Sequence, residues 1–372
     1  MPLLLTLLGG AFVVAACGYA VLALLSPRPR MRATAGDLLP VTVLKPLCGV
    51  DERLEENLEA LCVQTHPAYQ VVCGVRDPSD AAIGVVMRLK SRYPDRVIDL
   101  VVHPGVHGSN LKVSNLINMW PHARHDAIVI ADSDIHVAPD YLERVVRPLS
   151  DPTVGLVTCL YRGRPAGSMW ARVGALFIDT WFLPSVRVAH GFGVRTFGFG
   201  ATMALRRNTL EELGGLEVLR NRLADDYWLG HFVRGLGQAT LLSDVCVTTD
   251  VSETRLGELW TRELRWLRTI RSLNPVGFFF TFITYTFPIM AIGLALSPSA
   301  LNASLAVVAV MARLGLHWRR PAPGLPRAGM MRYAALRDCL LLAGWAYALL
   351  GTHVQWRRQI LPLRDRSADP YP

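Results

Sequence analysis

Lysine is almost missing from this chain. Only Lys45, Lys90 and Lys112 interrupt a basic complement of 39 residues that is otherwise arginine, within a formal net charge of +9. A surface of that kind suits anionic head groups and phosphate-bearing molecules. It would also suit nucleic acid, but no nucleic-acid recognition motif accompanies it, so nucleic acid is not an expected partner. Cysteine pairing is absent too: Cys17, Cys48, Cys62, Cys73, Cys159, Cys246 and Cys339 are scattered, with no Cys-x-x-Cys. That pattern argues against a disulfide framework or a zinc site and fits a reducing compartment. Neither a Gly-x-Gly-x-x-Gly fingerprint nor a Walker P-loop occurs, and no internal repeat or low-complexity tract is found.

What the chain does have is apolar length at both ends. Hydrophobic residues make up 51% of its 372 positions, too many for an ordinary soluble enzyme and too few for a pure membrane bundle. Residues 3–25 are an uninterrupted apolar run of spanning length. No basic segment precedes them, whereas Arg28, Arg30 and Arg32 follow. The reading is a signal anchor, with the following domain in the cytoplasm under the positive-inside rule. The expected organisation is an anchor over 1–26, a basic linker over 27–40, a cytoplasmic catalytic domain over 41–250, an amphipathic interfacial helix over 251–275 and a transmembrane or re-entrant region over 276–372. Within that last region, 277–296 and 301–316 read as spans and 339–353 as a further short apolar run. Four full spans would leave Arg357, Arg358, Arg364 and Arg366 on the wrong side, so one C-terminal segment is expected to be interfacial or re-entrant.

Between the ends, short β-branched runs at 41–44, 70–75, 97–102, 126–131 and 155–160 alternate with helical patterns. Such alternation predicts an α/β domain with a mostly parallel sheet and ligands at the carboxyl ends of its strands. Asp77 follows the second run, and Asp132-Ser133-Asp134 follows the fourth. An isolated Asp-x-Asp is more often a turn cap. Here two carboxylates close a buried strand, which is costly unless a cation satisfies them. Mg²⁺ or Mn²⁺ shared with a substrate diphosphate is the expected solution. Lys112 lies in a polar loop, 107–115, that enters a helix and could reach a phosphate. Gly198 to Met203 reads as a tight turn whose small residues let a ligand approach the backbone.

Asp225 and Asp226 open a helix expected over 228–236. One of them can be a cap; two adjacent carboxylates repel, which raises one pKa towards that of a general base. Residues 168–190 are apolar and aromatic, and either a core or an interfacial helix satisfies them. The stretch 259–271 is a basic amphipathic helix with Arg262 and Arg265 on nearly one face. It pairs with anionic lipid, or clamps a leaving diphosphate beside the membrane.

In order, Asp77, Asp132-Ser-Asp134, Asp226 and Arg262-Glu-Leu-Arg265-Trp266 resemble the ceramide glucosyltransferase family of membrane glycosyltransferases over roughly residues 40–275. The stretches at 41–49, 74–78, 110–115, 158–165 and 223–227 most resemble its bacterial hopanoid-biosynthesis branch, which moves N-acetylglucosamine from UDP-GlcNAc to bacteriohopanetetrol. The resemblance implies a GT-A (nucleotide-diphospho-sugar transferase) fold flanked by transmembrane helices, and an inverting reaction dependent on a divalent cation. It implies a multi-pass protein of the bacterial inner membrane, a UDP-sugar donor and a lipid acceptor. Carried over by motif, Asp77 contacts the uridine and Asp132 and Asp134 hold nucleotide and metal. Lys112 joins the nucleotide side, Asp226 is the base, and Arg262, Arg265 and Trp266 line the diphosphate and the acceptor entrance. A ceramide or other lipid glucosyltransferase using UDP-glucose is the alternative within the class. A processive polysaccharide synthase fits less well, since Arg-Glu-Leu-Arg-Trp replaces Gln-x-x-Arg-Trp. An inactive lipid-binding scaffold is the alternative outside it.

Overall fold

A computed structural model describes residues 2–31, 37–319, 331–356 and 359–363. Arg32, most of the basic loop that follows residue 319, and Arg357, Arg358, Arg364 and Arg366 lie outside the described residues. In chain order the elements are α1 (Pro2–Leu25), β1 (Val41–Pro46), α2 (Leu54–Cys62), β2 (Tyr69–Val75), α3 (Ala82–Arg92), β3 (Val97–Val102), α4 (Leu111–Met119) and β4 (Ala127–Ile130). There follow β5 (Ile135–His136), α5 (Tyr141–Val146), β6 (Val154–Pro165), α6 (Met169–Phe177), α7 (Leu183–Gly191), β7 (Met203–Arg206), α8 (Arg207–Glu212), α9 (Asp225–Gly235) and β8 (Ala239–Val251). The C-terminal region holds α10 (Leu256–Leu273), α11 (Pro275–Phe280), α12 (Thr286–Leu296), α13 (Ala300–Arg319), α14 (Met331–Ala348) and the short hairpin β9 (His353–Trp356) and β10 (Gln359–Pro362).

These elements form two compact units. Among the described residues, one comprises those of 29–161 and 194–250, and the other those of 2–28, 162–193 and 251–363. The first is an α/β layer structure on a sheet ordered β3-β2-β1-β4-β7-β6-β8-β5 among the described residues. The pairs β3/β2, β2/β1 and β1/β4 are parallel, so four consecutive strands deliver their carboxyl ends to one edge. β7 enters antiparallel to both β4 and β6. β1, β2 and β4 read as continuous apolar runs because both sheet faces are covered. Val43, Val71 and Val129 join one core cluster with α2, α3 and α5, while Leu44, Val72, Ile128 and Ile130 join another with α4 and α9.

The second unit is helical. α1 and α13 are long and apolar enough to cross a membrane. Small residues let α1 pack closely: a Cβ on Gly293 of α12 would meet Val13 Cγ2 at 2.7 Å and the Gly9 carbonyl at 2.9 Å. Residues 277–296, expected as one span, are instead divided, with a bend of 74° between the segments 275–284 and 286–296. Tyr285 leaves helical geometry (φ −85°, ψ 76°), and Pro288 supplies the reason. A continuous helix would need an N–H that proline lacks and would drive its ring into the carbonyl four residues back. The apolar stretch 168–190 forms α6 and α7, joined through a π-helical turn at Ile178–Phe182 and started by Ser168, whose hydroxyl accepts from Ala171 N at 2.9 Å.

Candidate active site

Every group of this site lies in the α/β unit, where β1, β2 and β4 end. β4 is wholly buried, and the chain leaves it at Asp132-Ser133-Asp134. Lys45, at the end of β1, is fully buried and pins that turn: its Nζ donates to the Asp132 carbonyl at 2.5 Å and the Ile135 carbonyl at 3.3 Å. Burial brings the Lys45 pKa down to about 8 against the opposing pull of Asp134 and Asp132. Lys45 has no role that residue order alone assigns. A lysine ending an otherwise apolar strand was the available signal.

Lys112 sits at the centre. α4 begins there because the Asn110 side chain caps it, accepting from Lys112 N at 3.0 Å and Val113 N at 3.1 Å. The Lys112 ammonium lies 2.8 Å from Asp132 Oδ1 and 3.0 Å from Asp225 Oδ2. Burial works to lower its pKa, but Asp132 and Asp225 outweigh that and hold it well above the ordinary lysine value. The charge expected to meet a phosphate is therefore engaged first with two carboxylates.

The two adjacent aspartates have different surroundings. Asp225 is buried and paired to Lys112. Asp226, also in the first turn of α9, accepts from Gly200 N and from Tyr227 N, each at 2.8 Å. Its burial and the charge of Asp225 push its carboxyl up to about 6, a range in which a carboxylate can take a proton.

Gly200 completes the cluster. A Cβ there would meet Asp132 Oδ2 at 2.9 Å, Lys112 Nζ at 3.3 Å and Asp226 Oδ2 at 3.6 Å, so the expected close approach of backbone in the Gly198–Met203 turn is made to the acids themselves. Gly200→Ala is expected to displace the Asp132 carboxylate and lower kcat by up to about 100-fold, since small misplacements near reacting atoms carry penalties of that order. Steady-state kinetics of the variant beside the wild type check this.

Asp134 stands near Asp132, its Oδ2 accepting from the Thr249 hydroxyl at 2.7 Å. Burial, then the charge of Asp132, push its carboxyl up to about 6. A divalent cation relieves that repulsion, and the pair fits one. Among the described residues no cluster of three or more His, Cys, Asp or Glu could hold a metal. Two carboxylates with the remaining ligands from diphosphate and water is a donor set suited to Mg²⁺ or Mn²⁺.

Asp77 lies at the end of β2, two strands from β4 in the sheet order, and is exposed. Its Oδ1 caps its own turn, accepting from Ser79 N at 2.8 Å and Ser79 Oγ at 2.7 Å. The hydroxyl bond first, then that from the backbone, hold its pKa below the usual carboxylate range. Arg262, Arg265 and Trp266 belong to the helical unit, on α10. Arg262 is ion-paired there with Glu253 at 2.7 Å and Glu263 at 3.0 Å, and its guanidinium lies 5.5 Å from the Trp266 ring centre.

This strand order, with paired carboxylates at the strand ends, defines a GT-A-like glycosyltransferase fold. The mannosyltransferase PcManGT from Pyrobaculum calidifontis, solved with GDP-Man and Mn²⁺, shares it: TM-score 0.54, 21% identity, 93% of this chain and 99% of that one. Residues 9–368 match the model of glycosyl transferase family 21, and the chain belongs to that family. Among curated relatives, ceramide glucosyltransferase 1 of Caenorhabditis elegans is 24% identical over 236 residues, 63% of this chain and 50% of its own. The ceramide glucosyltransferase of Komagataella phaffii is 32% identical over 114 residues, 30% of this chain and 22% of its own. The chain spans about half the length of the Caenorhabditis relatives it matches.

Proposed function

We propose that this chain is an inverting membrane glycosyltransferase that moves a hexose from a UDP-sugar to the hydroxyl of a lipid. The observation that carries the reading is Asp226, held by two backbone N–H groups with its carboxyl raised to about 6, beside a lysine already neutralised by Asp132 and Asp225. Asp226 takes the proton of the lipid hydroxyl as the oxygen attacks the anomeric carbon, and UDP leaves from the opposite face. Asp132 and Asp134 would hold a divalent cation, whose positive charge would offset that of the leaving diphosphate. Lys112 keeps Asp132 and Asp225 in place, Lys45 fixes the turn that carries Asp132, and Asp77 contacts the uridine. Arg262, Arg265 and Trp266 serve the diphosphate and the lipid entrance.

Ceramide with UDP-glucose is the first pairing to try, because the curated relatives carry that name. The second pairing is UDP-GlcNAc with bacteriohopanetetrol, supported by the motif stretches at 41–49, 110–115 and 158–165. Arg28 and Arg30, directly after α1, support an inner-membrane protein with its catalytic domain facing the cytoplasm. The purified full chain, offered both donors and both acceptors, is expected to glycosylate one of the lipids; release of UDP without a glycolipid in any combination would sink the reading. Chelation with EDTA is expected to abolish transfer, and added Mg²⁺ or Mn²⁺ to restore it.

A further inference from the structure

α9 carries Asp226, yet its own start is not capped by a side chain: it begins after Ala224, which has nothing to accept a hydrogen bond with. The support comes from the loop before α4, in the same α/β unit, through Asn110, which is only 1% exposed. Its Oδ1 accepts from Lys112 N and Val113 N and so starts α4. Its Nδ2 donates to the Arg222 carbonyl at 2.8 Å and lies 3.5 Å from Asp225 Oδ1. The loop adds two backbone donors. Asn110 N donates to the Arg220 carbonyl at 2.9 Å, and Ser109 N to Asn221 Oδ1 at 3.0 Å.

A carboxamide suits both duties because it offers two lone pairs and two N–H groups. Here the lone pairs serve α4 and the N–H groups serve the approach to α9. A carboxylate would cap α4 equally well but has no hydrogen to give, and a serine hydroxyl has one hydrogen and a shorter reach. Lys112, two residues further on, holds the other oxygen of Asp225 at 3.0 Å. One loop therefore grips both oxygens of Asp225, the neighbour of Asp226 in the first turn of α9.

We propose that Asn110 is a positioning residue for the transfer: its amide brackets α4 to α9 and, through Arg222 and Asp225, sets where the Asp226 carboxylate stands. The consequence for rate rests on the function proposed above; the bracket itself does not.

The test uses the purified full chain and three substitutions. Asn110→Asp and Asn110→Ser both keep an oxygen that caps α4, so thermal unfolding should change little. Each is expected to lower kcat about tenfold with the KM for UDP-sugar nearly unchanged, a fraction of the penalty for misplacing a reacting group by 1 Å. Asn221→Ala, at an exposed position, loosens the same bracket from the other side and should lower kcat severalfold. In all three, deuterium uptake over 222–228 should quicken while 111–119 stays as protected as in the wild type. A wild-type kcat in both Asn110 variants would reduce the residue to a helix cap and overturn the proposal. A loss confined to Asn110→Asp would overturn it too, since that reports only repulsion from Asp225. So would a raised donor KM at constant kcat, which would put Asn110 on the nucleotide. Unaltered rate and unaltered exchange in Asn221→Ala would overturn it even if the other two variants failed to fold. A wild-type chain that transfers no sugar would remove the proposed function, while the exchange over 222–228 would still decide the bracket.

Discussion

Asp226→Asn is expected to lower transfer by about 10²- to 10⁴-fold, the usual contribution of a general base, with UDP-sugar affinity nearly unchanged. Asparagine keeps the size of the side chain, but its single amide oxygen can accept from only one of Gly200 N and Tyr227 N, which donate to different oxygens of Asp226 at 2.8 Å, and it cannot take a proton. Asp225→Asn should behave differently, because Asp225 is buried against Lys112 and its loss lowers stability before it touches chemistry. The pH dependence of the wild-type rate gives a second view. With the Asp226 carboxyl near 6, the base is ready above that pH and protonated below it. kcat/KM should therefore fall about tenfold per unit as pH drops below about 6. Asp226→Asn should flatten that limb; a variant with the wild-type acid limb and rate would remove Asp226 as the base.

Lys112→Met carries the second large effect, on folding as much as on rate. The lysine and Asp225 side chains are 14% and 7% exposed, so removing the ammonium strands a carboxylate with little solvent. Breaking a buried pair from one side costs about 3–5 kcal/mol. Asp132, at 39% exposed, adds little to that figure because water compensates it. Thermal unfolding of the solubilised protein should show a clearly lowered midpoint. The double variant Lys112→Met/Asp225→Leu should recover most of it without recovering activity. An unchanged midpoint in Lys112→Met would mean that the lysine does not hold these acids.

Much of this site could be read from residue order, and the reason is local. Asp132-Ser133-Asp134 announces itself because a run of apolar, β-branched residues that ends in two acids has few structural explanations. The alternation of strands and helices over 41–160 likewise follows from burial on both faces of the sheet. What residue order could not show is pairing at a distance. Lys112 binding Asp132 and Asp225, Gly200 donating to Asp226, and Lys45 gripping the Asp132 carbonyl join segments 20 to 113 residues apart, and no periodicity encodes those choices. The same holds for Asp225 against Asp226, identical as neighbours in sequence and separated only by what each one touches. The bend at Tyr285 was missed for a different reason. Hydropathy counts apolar residues through 277–296 without registering that Pro288 interrupts the helix they would need.

The anomeric configuration of the glycolipid tests the central claim most directly. With one base and direct displacement of UDP, an α-linked UDP-hexose must yield a β-linked glycolipid, read from the anomeric proton coupling of the purified product. A β product is the expected result. An α product would require two displacements or a front-face attack, and would contradict the role given to Asp226.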